Sequence, residues 1–221
     1  LIDCGLAVAS KNGGYDRFRG RITFPLIDTK DRVIGFSGRV LDSSEPKYIN
    51  TPQTQIFDKS SYLFGINRAK GEIRAKNEAI LVEGEMDIIL SYQSGVKNVV
   101  ASKGTALTEG QVELLKKYTE NITLGFDADL AGDSAARRGI EIADKALLNI
   151  KVIQLTGGKD AAAIIKDDPS NWQKAVKEAI PIYDYYLSSV EQRFGNKDAS
   201  SKSKISQELI PIWAKISDDL V

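Results

Sequence analysis

The sequence predicts an α/β fold in which helices flank a parallel β-sheet. From residue 79 onward, short apolar runs alternate with helical segments, which is typical of parallel strands covered on both faces. Acidic residues follow several of these runs, where open sheets of this kind bind ligands. We expect three subdomains: a smaller mixed α+β unit at residues 1–78, the sheet at residues 79–179, and helices at residues 180–221.

Strands dominate the prediction for the N-terminal unit. Residues 22–27 and 33–40 are rich in β-forming residues, and the polar turn DTKDR separates them. Residues 42–60 contain Pro46, Pro52 and many polar residues, so we expect an irregular segment there. Residues 62–78 are predicted to form a helix.

Four predicted strands and the helices between them make up the central unit. The strand-forming runs are AILVEG at 79–84, VKNVVAS at 96–102, NITLGF at 121–126 and IKVIQL at 150–155. Thr108 is a plausible N-cap for the helix that follows the second run. Beyond the fourth run the chain is predicted to be helical, with the polar stretch GNKDASSKS at residues 195–203 predicted as a loop.

Composition excludes several kinds of site. The 221 residues include no histidine and one cysteine, so zinc sites built from histidine and cysteine, histidine general bases and internal disulfides are excluded. A metal in this chain must therefore be held by oxygen ligands, which favours a hard cation such as magnesium, manganese or calcium. No apolar run approaches the roughly 20 residues of a transmembrane helix, so we expect no membrane association.

Charge is distributed unevenly along a chain whose net charge is zero. Residues 1–78 carry 13 Lys and Arg against 9 Asp and Glu, whereas residues 79–221 carry 17 against 21. Zero net charge argues against tight, sequence-independent binding to duplex DNA, because such binding needs many phosphate contacts. A local basic surface in the N-terminal unit is still compatible with weaker contact to nucleic acid.

Acidic residues near the strand ends are the candidate metal ligands. They are Glu83, Asp87, Asp127, Asp129 and Asp160. Asp127 and Asp129 are two residues apart, so in extended backbone both side chains point to one side. Crowded carboxylates repel each other, and a divalent cation relieves that repulsion. Acidic residues are also common helix N-caps, and this alternative stays open for Asp87 and Asp160.

At these residues the sequence resembles a known family. The segments LVEGEMDIILSYQSGVKNVVASKGTALT and LGFDADLAGDSAARR resemble the Toprim domain of bacterial DnaG-type primases. Glu83 with Gly84 stands in its glutamate motif, and Asp127 with Asp129 stands in its DxD motif. YDRFRGRITFPLIDTKDRVIGFSGRVL and PKYINTPQTQIFDKSSYLFG resemble the basic N-terminal subdomain of the same family. The resemblance implies a Toprim-type parallel sheet.

The resemblance also implies an activity, namely the synthesis of short RNA primers on single-stranded DNA from ribonucleoside triphosphates. This would make the chain a nucleotidyltransferase with Glu83, Asp127 and Asp129 as catalytic residues. All five acidic residues would hold divalent metal, as two or more Mg²⁺ or Mn²⁺ ions. The residues implied to bind nucleotide or template are Arg39, Lys47, Tyr48, Asn50 and Lys59.

The resemblance further implies a place at the replication fork in the bacterial cytoplasm. A replicative helicase would be a partner through a domain that we expect to be absent here, and we expect no zinc module. Two positions depart from the family pattern: Ala162 stands where a second aspartate is common, and Glu85 stands where an aromatic is common. Since the glutamate and DxD motifs are intact, we expect activity with altered metal affinity.

Two other functions remain open, and a phosphotransfer domain with Asp127 as its nucleophile is a more distant alternative. A Toprim nuclease would use the same metals to hydrolyse a phosphodiester. A non-catalytic nucleic-acid-binding module would use the acidic residues only as helix caps. A Toprim topoisomerase would need a tyrosine nucleophile, and no tyrosine here lies in a motif that supports this role.

Overall fold

The computed structural model describes residues 1–11, 13–103, 107–126, 134–155, 160–195 and 198–214. In this part of the chain, a two-stranded and a three-stranded antiparallel sheet precede a five-stranded sheet. Helices pack on both faces of the larger sheet. The predicted α/β class, with a small antiparallel N-terminal region, is confirmed.

Both antiparallel sheets lie near the N-terminus. Strands β1 (Ala7–Ser10) and β2 (Gly13–Asp16) pair with each other as a short hairpin. Strand β4 (Val33–Val40) lies between β3 (Arg21–Ile27) and β5 (Tyr48–Asn50), and it pairs antiparallel with both. β5 is therefore an edge strand, held in place by its pairing with β4.

The structure confirms some of the N-terminal predictions and corrects others. The strands predicted at residues 22–27 and 33–40 are present. The prediction of an irregular segment at residues 42–60 is wrong for β5, because pairing with β4 makes these three residues a strand without a local pattern. The β1–β2 hairpin has no counterpart in the predictions, because its short strands, AVAS and GGYD, contain few β-forming residues.

Five strands form the larger sheet. They are β6 (Ala79–Val82), β7 (Val99–Ala101), β8 (Asn121–Leu124), β9 (Asn149–Val152) and β10 (Ile180–Pro181). Their order is β10-β9-β8-β6-β7, in which β6 to β9 are parallel and β10 is antiparallel to β9. The carboxyl ends of the four parallel strands therefore meet at one edge of the sheet.

Helices cover this sheet on both sides. They are α1 (Ile66–Lys76), α2 (Glu85–Gln93), α3 (Glu109–Lys116), α4 (Ser134–Lys145), α5 (Ala161–Asp167), α6 (Pro169–Lys177), α7 (Ile182–Phe194) and α8 (Ala199–Trp213), with a 3₁₀ turn at Lys59–Ser61. Within the described part of the chain, no helix combines the length and apolar character needed to cross a bilayer.

The central strand β6 shows how the two faces are filled. Leu81 packs into a cluster with residues of α1, α3, α4 and α7. Its neighbours Ile80 and Val82 point to the opposite face, where α2, α5 and α6 supply the partners, including the fully buried Trp172. Successive side chains of a strand point to opposite faces, so a strand buried on both faces reads as a continuous apolar run.

The loop predicted at residues 195–203 is wrong in its second half. α8 begins at Ala199, and the side chain of Asp198 caps it by accepting the backbone N–H of Ser201 at 2.8 Å. The polar composition of the stretch belongs to an N-cap and a solvated first turn. α8 also continues past Pro211, which lies close to its C-terminal end.

Candidate functional site

A cavity of about 500 Å³ lies at the carboxyl edge of the five-stranded sheet. One wall carries the acidic residues, which follow β6 and precede α5, and α5 also contributes Lys166 to the lining. The opposite wall is basic and consists of residues on and beside β4 and β5. The cavity thus brings together predicted metal ligands and predicted nucleotide-binding residues, which lie in separate parts of the sequence.

Glu83 lies directly after β6 and lines the cavity, half-buried. Its carbonyl oxygen accepts the backbone N–H of Lys103 at 2.9 Å, and the carbonyl of Val82 accepts that of Ser102 at 3.3 Å. These bonds join the residues after β6 to those after β7. The backbone that carries Glu83 is therefore held by two neighbouring strand ends.

Asp87 also lines the cavity, and it holds two helices together. One carboxylate oxygen accepts the backbone N–H of Gly84 at 3.0 Å, and the other accepts that of Ala162 at 3.0 Å. The side chain thus caps α2 and binds the first turn of α5. This is the capping geometry of the alternative interpretation, and the metal role predicted for Asp87 stays a prediction.

Asp160 lies immediately before α5 and is half-buried at the cavity wall. Its carboxylate accepts the backbone N–H of Ala163 at 2.7 Å, which makes it the N-cap of that helix. Ala162, at the position where the resemblance implies a second aspartate, donates its backbone N–H to Asp87. Among the described residues, the carboxylates at the start of α5 are therefore those of Asp160 and Asp87, and Ala162 adds none.

Asp127 and Asp129 lie outside the described residues. The strand that leads to them, β8, lies between β6 and β9. Among the described residues, no group of three or more acidic or cysteine side chains forms a metal site. The donor chemistry of Glu83 and Asp160 nevertheless suits a hard divalent cation, since carboxylate oxygens are the ligands such ions prefer.

Arg39 and Tyr48 form the basic wall. They are register partners on β4 and β5, and the Arg39 guanidinium donates to the Tyr48 hydroxyl at 3.0 Å while lying 5.4 Å from the ring centroid. Burial raises the pKa of Tyr48, so the phenol is neutral at physiological pH. Asn50 and Lys47 line the same cavity.

Lys59 is the exception among the five residues predicted to bind nucleotide or template. It begins the 3₁₀ turn and is not among the described residues that line the cavity. Burial is the main cause that lowers the pKa of Lys103, and the charge of Lys59 lies near enough to lower it further. The structure therefore brings four of the five residues to the cavity and places Lys59 beside it.

Glu85 and Lys103 line the cavity without having been assigned a role from the sequence. The Lys103 ammonium lies 2.7 Å from the Glu85 carboxylate, and both side chains are at most 5% exposed. Burial lowers the pKa of Lys103, and the Glu85 carboxylate opposes this effect. Lys103 follows β7 by two residues, so the strand-end rule used for the acidic residues, extended to lysine, would have found it.

Known proteins resemble this chain over both halves of the cavity. The model of the DNA primase catalytic core, N-terminal domain, matches residues 1–70, and the Toprim-like model matches residues 80–165. The DNA primase of Clostridium acetobutylicum is 42% identical and matches 96% of this chain. A DNA primase domain from Pseudomonas aeruginosa is 32% identical with a TM-score of 0.84, over 99% of this chain and 70% of that one. The chain belongs to the DnaG-type DNA primase family.

A DnaG primase catalytic domain solved with single-stranded DNA is similar over the whole chain. It is 31% identical with a TM-score of 0.83, covering 100% of this chain and 73% of that one. The resemblance drawn from the glutamate and DxD motifs and from the basic N-terminal segment is thereby confirmed. A Toprim primase core implies the use of divalent metal. The chain spans 37% of the length of the C. acetobutylicum primase.

Proposed function

We propose that this chain is a DNA primase core that extends short RNA primers on a single-stranded DNA template during replication. The observation that carries the proposal is the single cavity that joins carboxylates at strand ends to Arg39, Lys47, Tyr48 and Asn50. A nucleotidyl-transfer site needs both walls, because a triphosphate requires cations and its metal requires carboxylates. The solved relative with bound single-stranded DNA supports a DNA template as substrate.

The acidic wall would hold the metal. Glu83, together with Asp127 and Asp129, would bind one Mg²⁺ or Mn²⁺ ion, and Asp87 and Asp160 would bind or orient a second. The bound metal would lower the pKa of the primer 3′-hydroxyl and stabilise charge on the leaving pyrophosphate. Because the hydroxyl itself attacks the α-phosphate, no side chain is required as a nucleophile. Asp87 also accepts two backbone amides, which ties the start of α2 to the first turn of α5 and would fix the position of its carboxylate in the site.

The basic wall would hold the incoming ribonucleotide and the template. Arg39 and Lys47 supply positive charge for phosphate oxygens. Tyr48 offers a neutral ring and Asn50 an amide at the same wall. Lys59, which begins the 3₁₀ turn, would contact template beyond the cavity.

The setting of the reaction follows from the family. We place the chain in the bacterial cytoplasm at the replication fork, with a replicative helicase as partner through a separate domain. We also propose the three subdomains at residues 1–78, 79–179 and 180–221. Since Ala162 adds no carboxylate beside Asp160, the second ion would bind less tightly than in a site with two aspartates there.

Primer extension on a single-stranded template with the Glu83→Gln variant tests the proposal. We expect the rate to fall roughly 10²–10³-fold, because a neutral amide is a poorer metal ligand and offsets less charge in the transition state. Glu178→Gln is the matched control, since Glu178 lies directly after α6, its side chain is 64% exposed, and it does not line the cavity. The control should extend primers at the wild-type rate.

Four outcomes separate the candidate functions. Extension that depends on Glu83 supports the primase core. Metal-dependent shortening of the labelled strand, without extension, would favour the nuclease. Wild-type extension by Glu83→Gln would contradict the proposed role of the acidic wall, and the absence of both reactions together with retained DNA binding would favour a binding module.

A further inference from the structure

We propose that the buried Glu85–Lys103 ion pair is a positioning device that clamps β5 against the carboxyl edge of the five-stranded sheet. Its role would be to hold Asn50, and with it Tyr48, at the basic wall of the cavity. The inferred effect on nucleotide binding rests on the proposed function. The inferred effect on the placement of β5 does not.

The ammonium of Lys103 is satisfied by groups from both parts of the molecule. It lies 2.7 Å from Glu85 Oε1 on α2 and donates to Asn50 Oδ1 on β5 at 2.6 Å. The ring centroid of Phe64 lies 5.7 Å away. A buried charge is tolerated when it is paired and hydrogen-bonded, so the position of Asn50 is tied to that of the ammonium.

The carboxylate of Glu85 reaches the neighbouring strand. Its Oε1 atom accepts the hydroxyl of Ser37 on β4 at 2.5 Å, and Ser37 is fully buried. Ser37 and Asn50 are register partners in the β4–β5 ladder. Glu85 therefore contacts Ser37, and Lys103 contacts Asn50, the register partner of Ser37. In the same ladder, Arg39 lies opposite Tyr48, two residues away.

The backbone of Lys103 is held in place by the residues that follow β6. Its φ is 66°, in the left-handed region that non-glycine residues rarely adopt, and its N–H donates to the carbonyl of Glu83 at 2.9 Å. Such a conformation persists where the surroundings over-determine it. Lys103 thus connects the backbone of a predicted metal ligand with the side chain of a predicted nucleotide ligand.

The strand that is held needs such support. β5 has three residues and lies at the edge of its sheet, with β4 as its ladder partner. A short edge strand gains little stability from pairing alone. Because Lys103 is 5% exposed and its partners are in place, it would act through Asn50 rather than by touching the substrate.

Three variants separate positioning from general stability. Lys103→Met leaves the Glu85 carboxylate buried without its partner, so we expect the melting temperature to fall by roughly 6–20 °C. The double variant Glu85→Gln with Lys103→Met removes both charges and should recover most of that loss. Lys174→Met is the control, because it removes a lysine whose pairing with Glu178 is exposed on α6.

Hydrogen exchange of backbone amides measures the placement of β5 directly. In the double variant we expect the amides of residues 48–50 to exchange about tenfold faster than in the wild type, while those of β6 stay unchanged. Lys174→Met should leave both strands unchanged. Wild-type exchange at residues 48–50 in the double variant would overturn the proposal, whether or not the chain extends primers.

Steady-state primer extension measures the consequence for the nucleotide. We expect the KM for ribonucleotides to rise about tenfold in the double variant, with kcat within about twofold, because a ligand of the nucleotide is displaced while the predicted metal ligands are unchanged. An unchanged KM in an active double variant would overturn this consequence. Failure of the proposed function itself would appear in the wild type, as an absence of extension, and the exchange experiment would still decide whether the pair positions β5.

Discussion

The two walls of the cavity are supported in different ways. The acidic wall follows β6, a strand whose four residues are all buried between two layers of helices. The basic wall stands on β4 and β5, in a sheet whose first strand, β3, has three exposed residues. The predicted metal ligand Glu83 thus follows a fully buried strand, whereas the predicted nucleotide ligands lie on a sheet that is partly exposed to solvent.

The two walls of the cavity are therefore held in position by different kinds of contact. Apolar burial holds the acidic wall, because the β6 side chains have partners on both faces. The basic wall has less apolar surface to bury, and polar contacts across the junction add to its support. We therefore expect substitutions in the apolar core to lower stability, and substitutions in the polar contacts between the two sheets to change the geometry of the cavity.

The largest expected effect on stability contrasts the two sheets. Leu81→Ala on β6 removes a fully buried side chain and should lower the free energy of unfolding by about 2–5 kcal/mol. Ile22→Ala on β3 removes a side chain that is 48% exposed and should lower it by less than about 1 kcal/mol. Urea denaturation monitored by circular dichroism measures both. Equal losses would show that the two sheets are buried alike.

A medium effect is expected where α3 meets the 3₁₀ turn. A Cβ on Gly110 would lie 2.8 Å from the carbonyl oxygen of Ser60, which is backbone and cannot rotate away. Gly110→Ala should therefore lower the free energy of unfolding by about 1–3 kcal/mol. Gly71→Ala is the control, because a Cβ there meets nothing within 4 Å and α1 should gain about 0.5–1 kcal/mol. An unchanged free energy of unfolding in Gly110→Ala would show that α3 and the 3₁₀ turn can move apart to accept the Cβ.

The smallest effect concerns a polar contact among the helices α4, α7 and α8. Glu208 accepts hydrogen bonds from Arg193 at 2.6 Å and Arg137 at 2.9 Å. Burial raises the pKa of Glu208, but the two arginines outweigh it and hold the pKa below its usual 4.5. Because these side chains are partly exposed, Glu208→Gln should lower the free energy of unfolding near neutral pH by about 1 kcal/mol.

The stability lost in Glu208→Gln should depend on pH in a defined direction. A carboxylate with a lowered pKa in the folded state stabilises the fold fully above the unfolded pKa, and this contribution is lost as the pH falls. The difference between wild type and Glu208→Gln should therefore be constant above pH 4.5 and shrink below it. Denaturation at a series of pH values measures it. A difference that grows below pH 4.5 would contradict the assigned ion pairs.

The sequence predicts the larger sheet better than the smaller one, for a physical reason. A strand buried on both faces must be apolar throughout, so AILV of β6 and VVA of β7 are visible as continuous runs. The short β5 contains the polar ends Tyr48 and Asn50, and only its pairing partner makes it a strand. The sequence does not identify the start of α8, because Asp198 and the serines after it are typical of loops as well as of helix caps.

The candidate site follows the same division. Glu83, Asp87 and Asp160 could be predicted to lie together, because the carboxyl ends of parallel strands share one edge. The Glu85–Lys103 pair could not be predicted, since the two residues belong to different elements and no local pattern links them. The capping bonds of Asp87 and Asp160 depend on side-chain rotamers and so also required the structure.

The central claim is that the acidic wall binds a divalent metal that works with the basic wall on a nucleotide. A crystal soaked with manganese and a ribonucleoside triphosphate, measured at the manganese absorption edge, tests it most directly. The account predicts an anomalous peak in contact with the Glu83 carboxylate, and phosphate oxygens between that peak and the Arg39 and Lys47 side chains. A cavity without manganese at good nucleotide occupancy, with Glu83 turned toward backbone amides or solvent, would contradict it.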